Sequence, residues 1–138
     1  MDFDVVDYVI RYDCLYNTGN YFYKDAFKSN DGLNVPIIRS HNFWENIQSE
    51  CLGIAILENR DDGLVAKCKF NETDMGKIAR DVVKDKDYGL SIYANGIDYD
   101  TLGYPAMVKH IKSGRILAVI LVPMVAMPTP KDSDAGDH

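Results

Sequence analysis

Two residues able to form a nucleophile and base pair stand out in a chain otherwise poor in reactive motifs. Ser91 sits inside "YGLSIYANG", residues 88–96, between aliphatic neighbours, and His41 ends "VPIIRSH", residues 35–41. A serine hydroxyl becomes a nucleophile only when a base lies within hydrogen-bond reach to take its proton, and that base works best when a third group fixes its tautomer. Fifty residues separate the two (91 − 41), so any contact between them is made through space. On residue type alone the bland alternatives stay open. A strand serine commonly bonds a neighbouring carbonyl, and a strand-end histidine commonly faces water.

The remaining chemistry-bearing residues point away from other function classes. Asp61 and Asp62 read as turn formers, and Asp98 and Asp100 as a solvated acidic loop. Cys14, Cys51 and Cys68 are odd in number and have no metal-ligand spacing, which suits reduced thiols filling a core. No G-x-S-x-G elbow, P-loop, dinucleotide glycine fingerprint, H-E-x-x-H or C-x-x-C occurs, so no metal and no cofactor is expected. The net charge of -6 argues against nucleic acid, whose binders need clustered Lys and Arg to displace counterions. "MDFDVVDYV" has neither a basic n-region nor an apolar h-region, and no apolar run reaches the roughly 18 residues of a membrane span. The expectation is a soluble, intracellular protein.

At 138 residues one core is expected, burying roughly two-thirds of the surface that the unfolded chain exposes. The elements that must position the candidate pair are mostly strands. "FDVVDYVIRYD" mixes β-branched and aromatic residues, and "CLYNTGNYFYKDAF" reads as a hairpin around Asn17, Gly19 and Asn20. "SNDGLN" is a turn, and "VPIIRSH" a short strand whose proline belongs at an edge or a start. "NFWENIQSE" reads as a loop or helical turn. "CLGIAILEN" and "GLVAKCKF" form a hairpin across "RDDG". In "NETDMGKIARDVVKD" the spacing of Met75, Ile78, Ala79 and Val82 predicts one amphipathic helix, with Thr73 or Asn71 as N-cap. "YGLSIYANGI" is a strand, "DYDTLGYPA" a loop, "MVKHIK" a strand, "SG" a tight turn, and "RILAVILVPMV" a strand stopped by Pro123. Hairpin cues and a single helix together suggest a mainly β protein, a closed or nearly closed antiparallel β-barrel flanked by helix. That places a domain at 1–127 and a patternless tail or linker at 128–138.

The order of these pieces resembles a known family. "VPIIRSH", then "LGIAILENRDDGLVAKCKFNETDMGK", then "LSIYAN", then "GRILAVILV" is similar to the prohead serine proteases of tailed bacteriophages, over about residues 26 to 127. Those enzymes show V-P-hydrophobic ending in histidine, F-N-x-T-x-x-G-K opening a helix, and L-S-I-Y-A-N around the nucleophile. The resemblance implies a barrel related to the herpesvirus capsid-maturation proteases, with Ser91 as nucleophile and His41 as general base. It implies an endopeptidase working in the host cytoplasm, within the assembling prohead, on scaffold segments of the major capsid protein or scaffolding protein, and also on itself. The herpesvirus relatives dimerise through a helix with no counterpart in this sequence, so a homodimer or higher oligomer is left open.

One position departs from the family. Where its members carry an acid, in a pattern like R-E-V-S-L-V, this chain has "LAVILV", with Ala118 at the acid position and Ile120 where serine is common. Alanine cannot orient an imidazole. The alternative implied is therefore a catalytically inactive homologue, natural or engineered, that acts in capsid assembly. His110, nineteen residues after Ser91 (110 − 91), is the substitute third group, although it reads more simply as a surface-strand histidine. The related fold draws its oxyanion-hole amides from the loop after the third-residue strand, which here nominates Val125, Ala126 and Met127.

Overall fold

The hairpin around "RDDG" is the most local element of the molecule. β4 (Gly53–Arg60) and β5 (Gly63–Phe70) pair antiparallel, with Arg60 opposite Gly63 and Asp61–Asp62 as the two-residue turn. Gly63 is required by a close approach: a Cβ there would lie 2.3 Å from the carbonyl oxygen of Ile10 on the next strand. The computed structural model describes residues 2–39, 51–101 and 108–129. Around the hairpin stand β1 (Val5–Arg11), β2 (Asn20–Phe22), β3 (Asn34–Arg39), α1 (Asp74–Lys84), β6 (Tyr88–Asp100) and β7 (Lys109–Pro123).

Among the described residues the seven strands belong to one sheet. Its path runs β1-β5-β4-β3-β7, and β7 pairs antiparallel with β6. β3 and the short β2 both run parallel to β7, one beside each half of its length. The sheet curls into a half-barrel and does not close, contrary to the sequence expectation of a closed or nearly closed barrel. Closure would need backbone pairing between β1 and β6, whereas among the described residues β1 pairs only with β5 and β6 only with β7. Those two strands face each other across a gap that no backbone ladder bridges.

The concave face holds the core. Val35, Ile37, Ala55, Leu57, Ala66, Cys68, Phe70, Val119 and Leu121 share it through alternation and cross-strand register. α1 packs against β1, β5 and β6 at one end of the gap and buries Ala79 and Val83. Its N-cap is Thr73, whose hydroxyl accepts the Gly76 N–H at 3.1 Å. Of the predicted apolar face, Met75 and Ile78 stay exposed.

Two further expectations are corrected. "SG" at 113–114 is not a turn, because β7 passes straight through it. Gly114 suits the passage: a Cβ there would lie 2.5 Å from Ile97 Cδ1 and 3.0 Å from Phe27 Cε1. β6 absorbs the misfit through register shifts between Asn95 and Tyr99 and continues to Asp100, so Asp98 and Asp100 are strand residues and not a loop. Asn30 locks this region from outside the sheet. Its Nδ2 donates to the Phe27 and Gly114 carbonyls and its Oδ1 accepts the Ile116 N–H, which satisfies a side chain only 3% exposed. The stretches "NFWENIQSE" and most of "DYDTLGYPA" lie outside the described residues. Among the described residues no helix is long and apolar enough to cross a membrane.

Candidate active site

Strand alternation explains why a serine stands in an apolar stretch. Leu90 belongs to the buried core and Ile92 packs against it, so Ser91 between them projects to the opposite face, where it is half-buried. It lies directly opposite Ile120 of β7, and Ile120 in turn pairs with Ile38 of β3. Among the described residues no group hydrogen-bonds the Ser91 hydroxyl.

The serine lines a cavity of about 340 Å³ in the gap between β1 and β6. One wall is β1 from Asp7 to Arg11 with Tyr16 behind it, and the other is Leu90, Ser91 and Ile92. Met127 and Pro128 form an end. The polar groups of the β1 wall are tied to one another. Tyr8 donates its phenol to both oxygens of Asp62 at 2.8 and 3.0 Å, and Arg11 stacks on the Tyr8 ring at 4.1 Å from its centroid. The Arg11 N–H donates to the Tyr16 hydroxyl at 2.9 Å. Burial pushes the Tyr16 phenol above its ordinary pKa, so it stays protonated at neutral pH and cannot serve as a base.

Among the described residues no histidine lines this cavity. His41 lies outside the described residues. The last described residue of β3 is Arg39, level with Leu121, and Leu121 is opposite Leu90, the residue before the serine. Ala118 is fully buried and lies opposite Tyr93, two residues along from Ser91 on the same face. That is a diagonal cross-strand relation, about 7–8 Å between Cα atoms, within reach of a long side chain but not of a methyl group. Asp98 and Asp100 stand at the far end of β6.

His110 is not with the serine. It lies ten residues along β7 from Ile120 (120 − 110), on the order of 30 Å of strand. It is also not a surface residue. β2 runs beside it, and the rings of Tyr21 and Tyr23 pack on the imidazole with centroids 5.8 and 5.7 Å away, leaving it 1% exposed.

The three oxyanion candidates follow β7. Pro123 is opposite Tyr88, and Met124 donates its N–H to the Asp87 carbonyl at 2.9 Å, opening a 3-10 turn over Met124–Ala126. Met127 spends its N–H on the Met124 carbonyl at 3.2 Å, which leaves Val125 and Ala126, both exposed. The turn folds back over β6 at Gly89, where a Cβ would sit 3.0 Å from Met127 Sδ and 3.2 Å from Met124 Sδ. Beyond the turn, Thr129 is hydrogen-bonded by Asn17. Residues 130–138 lie outside the described residues.

Tyr8, Arg11 and Tyr16 were not signalled as site residues by the sequence, since only the curl of the sheet brings them to the serine's cavity. Among the described residues no cluster of His, Cys, Asp and Glu has the makings of a metal site. Searches of family models, of curated proteins and of solved structures each returned no match to this chain.

Proposed function

We propose that the protein is a phage prohead maturation serine endopeptidase of the kind its motifs resemble, acting through Ser91. The observation carrying this reading is the placement of Ser91: a hydroxyl turned out of an apolar strand, without a described partner, lining a cavity at the unpaired side of the sheet. In the proposed reaction His41 takes the hydroxyl proton as Oγ attacks the scissile carbonyl carbon. The Val125 and Ala126 amides meet the charge on the tetrahedral oxygen. The imidazolium then gives its proton to the leaving amine, and water releases the acyl group by the reverse sequence. The substrate is the scaffold segment of a capsid or scaffolding protein. Confinement with that substrate inside a shell raises the effective concentration, so a shallow site with few specific contacts suffices.

Ala118 favours a second reading, a catalytically silent homologue with a structural role in capsid assembly. Ile120 opposite the serine and Ala118 diagonal to it supply neither acid nor base. The Ala118→Glu chain separates the two. Placing a carboxylate at a fully buried position costs about 2–4 kcal/mol of stability through overpacking and desolvation. In the enzyme reading it raises scaffold cleavage by about 10³–10⁴-fold, the scale on which serine proteases depend on their orienting acid. Ser91→Ala in the same background is the control. A folded Ala118→Glu chain that cleaves no faster than the starting chain leaves the silent reading standing.

A further inference from the structure

The segment that follows the 3-10 turn crosses the open side of the half-barrel. Met127 and Pro128 line the same cavity as Ser91. Met127 leaves the turn in an extended conformation, with φ -67° and ψ 134°, of the kind in which bound peptides lie in protein clefts. Its thioether rests on Gly89, two residues before the serine, in space that any larger residue would fill. Beyond it, Thr129 is clasped by Asn17 from the connection between β1 and β2. The Asn17 N–H donates to the Thr129 carbonyl at 2.9 Å, Nδ2 donates to Oγ1 at 3.1 Å, and the Thr129 N–H donates to Oδ1 at 3.3 Å. Asn17 thus treats the backbone of Thr129 as a neighbouring strand would, meeting both its carbonyl and its N–H. The side-chain bonds of the clasp are solvent-exposed, which makes each of them weak.

We propose that Met127–Thr129 is a strap occupying the peptide groove of Ser91, held by Asn17, and that the strap must lift before another extended peptide can enter. The strap and a substrate compete for one surface, so the chain is self-blocked at rest and opens by releasing the Asn17 clasp. A groove that accepts Met127 and Pro128 from its own chain is suited to extended peptides carrying a flexible apolar residue next to proline. That this groove is the substrate channel rests on the proposed function.

The test reads access to the groove and not catalysis. In the full chain carrying Ser91→Cys, alkylation of the thiol at position 91 by iodoacetamide is followed by peptide mass spectrometry, with exposed Cys51 as internal reference. The same chain carrying Asn17→Ala loses two of the three clasp bonds. Hydrogen exchange of the peptides spanning 15–22 and 124–129 reports the strap, and exchange of the β4–β5 hairpin reports that the fold is intact. The expected result is faster exchange at the strap and about tenfold faster alkylation at position 91 relative to Cys51, with a smaller gain for Thr129→Ala, which removes one bond. Faster exchange with unchanged alkylation would show that the strap does not cover the groove, and unchanged exchange would show that Asn17 does not hold it. Either result overturns the proposal. Neither bears on whether Ser91 is a nucleophile, and a catalytically dead serine would leave the thiol measurement valid.

Discussion

Asn30→Leu is the substitution whose cost can be worked most directly from the structure. The asparagine is 3% exposed and makes three bonds: to the Phe27 carbonyl at 3.2 Å, to the Gly114 carbonyl at 2.9 Å, and from the Ile116 N–H at 2.9 Å. Leucine is close to it in shape but can make none of them. The Phe27 carbonyl still accepts the backbone N–H of residue 30, so two groups lose their bonds, the Gly114 carbonyl and the Ile116 N–H. Each unpaired buried backbone group costs about 1–3 kcal/mol, which puts the loss at about 2–6 kcal/mol. With a urea slope of about 2 kcal/mol/M for a domain of this size, the unfolding midpoint falls by about 1–3 M. Asn30→Asp makes the reasoning sharper. It keeps an acceptor for Ile116 but sets a carboxylate oxygen against the Gly114 carbonyl, so it is expected to be nearly as damaging as leucine. A midpoint shift below about 0.3 M for leucine, or an aspartate variant as stable as the parent, would refute the claim that Asn30 pins β7. The consequence reaches the site, because β7 carries Ile120 and Ala118 beside Ser91.

Other predictions concern thiols and pH. Burial pushes the Cys68 thiol up to about 12, so at pH 8 only about one molecule in 10⁴ carries its thiolate. Iodoacetamide should modify exposed Cys51 while leaving Cys68 untouched until the chain unfolds; early modification of Cys68 would contradict the core described above. Burial likewise raises the Tyr12 phenol to about 12 from 10.0, against the opposing hydrogen bond from Phe27. The unfolded chain therefore ionises this group first. Its stabilising contribution is complete below pH 10 and is lost as pH rises towards 12, by about 3 kcal/mol, and Tyr12→Phe should flatten that loss in urea titrations.

Short-range features of the fold were legible in the sequence. The β4–β5 hairpin announces itself through its turn residues, and Thr73 with the spacing of Ala79 and its neighbours announces α1. Alternation around Leu90 and Ile92 already singled out Ser91. What was not legible depends on distant partners. Ser113–Gly114 has the composition of a turn, and only the packing of Phe27 and Ile97 onto Gly114 shows why a strand passes through it. His110 is buried because β2, ninety residues earlier (110 − 20), runs parallel to β7 and brings Tyr21 and Tyr23 over the ring. Whether a seven-stranded sheet closes depends on accumulated twist and stagger, which no short window encodes. The unclosed gap is what gives the serine its cavity, with walls supplied by Tyr8 and Arg11 from the opposite end of the sheet.

The most direct test of Ser91 as a nucleophile is covalent labelling of the full chain, and of its Ala118→Glu variant, with an alkyl fluorophosphonate, the adduct being mapped by mass spectrometry. The account predicts a single adduct on Ser91, slow in the parent and faster with the glutamate, and none in Ser91→Ala. Labelling that survives Ser91→Ala, or the absence of any adduct in both the parent and a folded Ala118→Glu chain, would contradict it.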